Sequence, residues 1–204
     1  MITWEKLGEL TLQHLTLSLS AVLLATLVAV PGGILLSRNR RAADPIIAVV
    51  GMFQTLPAIA LLAFMIPLMG IGSRPALAAL FLYALLPILS NTYKGLVSVD
   101  PAAKEAARGM GMTAFQMLLF VELPLAFRVI MSGIRTSTVL IIGWATLGAY
   151  VGAGGLGEPI ISGFAMVSPR LILAGGVPVT LMALLADFLL GYLERKVTPR
   201  GLQV

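Results

Sequence analysis

The sequence predicts an all-α helical bundle that spans a membrane about five times, and three observations carry that prediction. Of 204 residues, 58% are hydrophobic and only 11% are charged, against roughly 25% charged in soluble domains. The apolar residues gather into five charge-poor stretches, each long enough to cross a hydrocarbon core as a helix of about 20 residues. The 14 Lys and Arg residues then divide unequally among the joining segments, the signature of cytoplasmic loops. No internal repeat, low-complexity tract or linker interrupts the chain, so residues 1–204 read as a single transmembrane domain.

The first stretch runs from Leu15 to Ser37 and gives a span over about 15–37. The residues before it, Met1 to Lys6, have no basic n-region, and the apolar run exceeds a signal-peptide core, so it reads as a retained span. The second stretch, Pro45 to Ser73, holds a span over about 45–70 and has room for a tilted or kinked helix with re-entrant ends. The third gives a span over about 75–93, and the fourth, charge-free from Thr136 to Gly157, one over about 129–151. The fifth, about 171–193, is interrupted only by Asp187. Pro31, Gly32, Gly33, Pro57, Pro67 and Pro87 lie inside these spans. They break the backbone ladder where neighbours or a cavity satisfy the freed groups, a feature of gated bundles and of static ones alike.

Arg38, Arg40, Arg41, Lys94, Lys104, Arg108, Arg128, Arg135, Arg195, Lys196 and Arg200 fall on one side of such a topology, with Lys6, Arg74 and Arg170 on the other. Eleven against three places the N-terminus outside and the C-terminus in the cytoplasm, in a multi-pass protein of the cytoplasmic (inner) membrane. The net charge of +5 is then a property of the loops and does not point to nucleic acid. The chain has no cysteine and a single histidine, His14, which reads as an unspecialised residue near a membrane interface without metal-ligand spacing. No Gly-rich Lys-Ser/Thr phosphate loop is present, and the catalytic constellation of a membrane enzyme is missing. The chain is expected to be non-catalytic and to bind no cofactor of its own.

The longest polar segment, 100–124, lies between the third and fourth spans. Asp100-Pro101 is a helix start, the carboxylate capping free N–H groups and the proline fitting the first turn. Ala102 to Arg108 are helix formers, and Gly109 and Gly111 end the run. Thr113 with Gln116 forms a capping box for a second, more apolar helix, expected to stop before Pro124.

Within this segment Glu105-Ala106-Ala107, three residues, Gly111, nine residues and Val121-Glu122-Leu123-Pro124 resemble the Glu-Ala-Ala loop of binding-protein-dependent ABC transporter permeases, with Val121 where isoleucine is usual. The resemblance implies a type I importer permease fold and makes this loop the coupling helix that lodges in a groove of an ATPase subunit. Glu105, Ala106, Ala107, Gly111, Leu123 and Pro124 are its candidate coupling residues. It further implies a second permease copy or paralogue, two ATPase subunits that hold the ATP and Mg, and an extracytoplasmic substrate-binding protein, all assembled in the lipid bilayer. Phe53-Gln54-Thr55-Leu56-Pro57, Leu80 to Ile88 and Asn91-Thr92-Tyr93 are similar to permeases that import osmoprotectants: glycine betaine, carnitine, choline or proline. Gly154-Gly155-Leu156-Gly157 is shared with several related permeases, including methionine and sulfonate types, and so supports the family and not a substrate; methionine or another amino acid is the alternative substrate. An ion-coupled secondary carrier is a more distant one.

A quaternary ammonium substrate favours aromatic ring faces. Phe53, Tyr83, Tyr93, Trp144 and Tyr150 are the candidates, each of which also suits packing or an interfacial belt. Gly155, Gly157 and Glu158 are candidates for a binding-protein contact or gate. Asp187, a carboxylate within a span, is expected to pair with Arg128 or Arg135 in preference to relaying protons. Those two arginines are seven residues apart, share a helix face, and read as the cytoplasmic mouth of the fourth span.

Overall fold

The structure, a computed structural model, describes residues 3–197; Met1, Ile2 and Arg200 lie outside them. No β-strand occurs among the described residues. Helix α1 covers Trp4–Arg38 and so begins well before the expected Leu15. Absence of charge marks where a helix can be buried and not where it starts. The Thr3 side chain caps the free end by accepting from Lys6 N at 3.2 Å, and Lys6 pairs with Glu9 at 3.0 Å one turn on. The helix continues through Pro31.

After the single residue Asn39, α2 (Arg40–Thr55) and α3 (Ala58–Met69) follow, meeting at an angle of 97°. The break falls at Leu56-Pro57. Proline disfavours the helical region for the residue before it, and Leu56 is extended at φ −71°, ψ 136°. Helix α4 (Ser73–Val97) returns through the bundle to α5 (Pro101–Gly109). The short α6 (Ala114–Met117) runs through a π turn, Leu118–Glu122, directly into α7 (Leu123–Trp144). The expected stop before Pro124 is therefore corrected. Proline has no N–H to give, but it stands in the first turn of α7, where the widened π turn already leaves the ladder open. A 3₁₀ segment (Ala145–Val151), a glycine loop, α8 (Gly157–Ala165) and α9 (Pro169–Val197) complete the chain.

Four of these segments are long and apolar enough to cross a membrane: α1, α4, Ala114–Val151 and α9. The bent α2–α3 pair is a fifth passage. It leaves the pole where Arg38 of α1 pairs with Glu122, and it ends where Gly72 N donates to Val151 O at 2.7 Å, at the opposite pole.

Helix α4 sits at the centre, with α1 on one side and α7 on the other. Ala21, Ala25, Ala29 and Gly33 recur every fourth residue along α1 and are buried, a small-residue stripe that lets backbones approach. A Cβ placed on Gly33 would lie 2.6 Å from Thr92 Cβ of α4. On the other side of α4, a Cβ on Gly133 of α7 would lie 2.8 Å from Pro87 O. Large apolar side chains instead line the outer surface, including Leu23, Leu27 and Leu35 on α1 and Leu181, Leu184 and Phe188 on α9. That distribution suits a hydrocarbon surround.

Candidate functional site

The segment between α4 and α7 folds as a compact loop at the Arg38 pole. Asp100 Oδ1 accepts from Ala102 N at 2.9 Å, and the Thr113–Gln116 capping box has both of its bonds. Between the two helices Gly111 turns the chain at φ +78°, a left-handed conformation that favours glycine. The candidate coupling residues separate into two sets. Glu105, Ala106 and Gly111 are exposed, whereas Ala107 is buried and Leu123 and Pro124 are half-buried. Leu123 packs against Leu96, Val99, Ala126 and Ile130. Helix α5 therefore turns one small-residue face outward while its other face is seated on the bundle. A concavity of about 290 Å³ beside it is lined by Arg40, Lys104, Glu105 and Arg108 together with Val97 and Val99.

Glu122, a position the sequence reading left without a role, is the buried charge of this pole at 2% exposure. Arg38 Nη1 donates to its Oε1 at 3.0 Å and Arg38 Nη2 to its Oε2, and Lys104 Nζ stands 3.7 Å from Oε1. A lone carboxylate inside the apolar run Leu118 to Leu125 was the available signal.

Of the five aromatic candidates, Tyr83 and Trp144 come together, with ring centroids 4.8 Å apart. Tyr83 is buried, and its hydroxyl donates to Leu56 O at 2.6 Å. Gln54 Nε2 donates back to Tyr83 O at 3.0 Å. Both bonds hold α4 to the break between α2 and α3, where the ladder has lost its own donors. Tyr93 and Trp144 are half-buried against the main core, Phe53 is half-buried on α2, and Tyr150 is exposed.

At the opposite pole the glycine loop is fitted tightly to its neighbours. Gly152, Gly154 and Gly155 have φ between +77° and +80°. Gly155 N donates to Gln13 Oε1 at 3.1 Å, and a Cβ on Gly157 would lie 1.9 Å from Thr146 O. Glu158 is exposed in the first turn of α8. His14 is fully buried here, which corrects the expectation of an unspecialised interfacial residue. Its Nε2 is 2.9 Å from Ile142 O, near the end of α7, where carbonyls run out of helical partners.

Asp187 meets Arg135 through two bonds, at 2.5 and 2.6 Å. Glu194 lies 3.9 Å from Arg135 and 3.6 Å from Arg128, so the two arginines share a face toward α9. Among the described residues, no three His, Cys, Asp or Glu side chains are grouped to hold a metal ion.

Against known proteins, residues 21–199 match the family described as binding-protein-dependent transport system inner membrane component. The choline transport system permease protein OpuBB of Bacillus subtilis is 51% identical over 199 residues, covering 96% of this chain and 92% of that protein. The carnitine transport permease protein OpuCB of Listeria monocytogenes is 52% identical over 193 residues, covering 95% of this chain and 88% of that protein. Among solved structures, a chain of the inward-facing MetNI methionine ABC transporter superposes with a TM-score of 0.81 at 24% identity. It covers 92% of this chain and 94% of its own, a likeness of fold.

Proposed function

The chain belongs to the binding-protein-dependent transport inner membrane component family, and from that premise we propose that it is the permease subunit of an ATP-driven importer of osmoprotectants. The substrates fall in the choline, carnitine and glycine betaine class. The observation that carries this reading is identity of about half, over nearly the whole chain, to permeases of choline and carnitine transport.

The pole with Arg38 and α5 faces the cytoplasm, and the N-terminus lies outside. Exposed Glu105 and Ala106 on α5 enter a groove of an ATPase subunit, with alanine allowing close backbone approach and Glu105 pairing with a basic residue there. Gly111 lets α5 turn back to the membrane, and Ala107, Leu123 and Pro124 pass its displacement to α7. A second permease, a copy or a paralogue, completes the path. Two ATPase subunits hold the ATP and Mg, and the chain itself performs no catalysis. An external binding protein delivers substrate at the glycine-loop pole, where exposed Glu158 meets it, Gly155 holds the loop to α1 and Gly157 holds it against Thr146. Along the path, ring faces of Trp144, Phe53, Tyr93 and Tyr150 attract the quaternary ammonium weakly. Tyr83 backs Trp144 and holds the α2–α3 break.

The test is reconstitution with the ATPase and binding protein, followed by ATP-dependent uptake of glycine betaine, choline and methionine. Uptake of betaine or choline that Glu105→Arg abolishes is the expected result. Uptake of methionine alone overturns the substrate class. A fully active Glu105→Arg protein overturns the docking role of that residue.

A further inference from the structure

Glu122 joins elements that converge at the α5 pole, α1 and α5 directly and α4 by way of Lys104. Its carboxylate takes both terminal nitrogens of Arg38, the last residue of α1. Lys104 of α5 approaches it to 3.7 Å, and the same Lys104 Nζ donates to Leu96 O, near the end of α4, at 3.0 Å. Glu122 itself closes the π turn that leads into α7. One buried carboxylate thus connects α1, α4, α5 and α7.

Its burial distinguishes it from the ion pairs elsewhere in the chain. Lys6–Glu9 has both side chains about half exposed, and a pair of that kind is screened by solvent. Glu122 is 2% exposed, so removal of Arg38, which bonds both of its oxygens, leaves a poorly solvated carboxylate with Lys104 alone to offset it. Arg38 and Lys104 remain partly exposed, at 43% and 21%, and the cluster is reached from the side of the loop. The helix geometry of α5 gives the arrangement a direction. Glu105 and Ala106 point outward, while Lys104 and Ala107 on either side of them point inward. The network lies directly behind the surface assigned to the ATPase.

We propose that Glu122 is a positioning residue for energy coupling: it clamps α5 to the inner end of α1 and to α7, and holds the Lys104 side chain that bonds α4, so that a displacement of α5 reaches three spans together. The proposal rests on the transport function above. Without the clamp α5 is joined to the spans by the short 98–100 connection to α4 and by the buried Ala107, and its motion reaches α1 and α7 less directly.

The test reconstitutes wild type, Glu122→Gln, Glu122→Asp and Lys104→Met with the ATPase subunits and binding protein. Betaine uptake and ATP hydrolysis are measured together. Nitroxide labels on exposed Leu35 of α1 and Ala102 of α5 report the distance distribution between those helices. Glu122→Gln is expected to lower uptake per ATP hydrolysed by at least about 5-fold, the low end of a typical coupling between sites, and to broaden the distance distribution. Glu122→Asp restores part of both. Lys104→Met acts in the same direction to a smaller extent, and it decides the matter if Glu122→Gln does not assemble. An unchanged ratio of uptake to hydrolysis, with both activities falling in step with thermal stability, overturns the proposal, as does an unchanged distance distribution. Wild type that hydrolyses ATP yet imports no betaine counts against the transport function alone, and the distance measurement then still decides on Glu122.

Discussion

Gly33→Ala sets two effects of known sign against each other at the α1–α4 crossing. Replacing a mid-helix glycine with alanine favours the helix by about 0.8–1.0 kcal/mol. The new Cβ, however, would lie 2.6 Å from Thr92 Cβ, 2.7 Å from Thr92 Cγ2 and 3.2 Å from Leu89 O. Carbon atoms in contact prefer about 3.5–4.0 Å, so the helices must part by roughly 1 Å, and the backbone carbonyl cannot rotate away as a side-chain tip does. Overpacking of this kind costs about 1–3 kcal/mol. Gly32 provides the control, since it has the same helix and the same propensity gain, but its Cβ meets only the flexible end of Leu89 at 3.3 Å. Subtracting one variant from the other removes the propensity effect and leaves the clash. At about 2–4 °C per kcal/mol for a chain of this size, Gly33→Ala is expected to melt roughly 2–12 °C below Gly32→Ala. Thermal unfolding in detergent, followed by loss of monodisperse protein, measures the difference. Adding Thr92→Gly to Gly33→Ala removes the clashing atoms and recovers part of it. A Gly33→Ala protein that melts at or above the Gly32→Ala temperature refutes the close crossing of α1 and α4.

Three further outcomes follow from particular contacts. Gly157→Ala is expected to be more damaging than Gly33→Ala, because its Cβ would stand 1.9 Å from Thr146 O with no room on a buried turn; limited proteolysis at the glycine loop reads the effect. Tyr83→Phe removes the bond to Leu56 O and lowers stability by about 1 kcal/mol, with faster amide exchange at residues 54–58 and the Trp144 contact kept. Asp187→Asn is expected to change stability little, since both partners are partly exposed and Glu194 still reaches Arg135 at 3.9 Å. Uptake per assembled complex is expected to hold, and a pH-dependent, ionophore-sensitive uptake abolished by this variant would assign Asp187 to proton movement instead.

What could be read from the sequence was whatever composition or local chemistry fixes. A charge-poor stretch has few homes outside a bilayer, Asp100 and Thr113–Gln116 cap within their own turns, and Pro57 biases Leu56 toward the extended backbone it adopts. What escaped depends on distant partners. The start of α1 is not legible because Lys6 and Glu9 look like a tail until Thr3 is seen to cap the helix and Lys6 to pair with Glu9 along it. Pro124 reads as a stop, since a π turn leaves no mark in sequence that would announce its tolerance. His14 gives no sign that Ile142 O lies 128 residues away. Glu122 occupies the unassigned position of an otherwise recognisable pattern, and its meaning comes from Arg38 on another helix. The every-fourth-residue series Ala21, Ala25, Ala29 and Gly33 was open to reading, but a search for long apolar runs passes over small residues.

The bundle is built with a different chemistry at each level, and that order bears on how it can move. At the glycine-loop pole, backbone donors and left-handed glycines fix the end of α7 and the loop after it to α1 and to the start of α4. In the middle, small residues bring α1, α4 and α7 to backbone contact, and a close-packed crossing transmits strain where a loose one absorbs it. At the α5 pole, ion pairs join the packing of Leu123 on Leu96, Val99, Ala126 and Ile130. The elements outside this stack are the bent α2–α3 pair and α9, about half of whose described residues are exposed. The pair is pinned to α4 through Gln54, Leu56 and Tyr83 at its break, so its two arms pivot about a point fixed to the central helix. If α5 is the coupling element proposed above, a push on it meets the close-packed α1–α4–α7 column, and α2–α3 and α9, which pack less closely on that column, are where a path is expected to open or close.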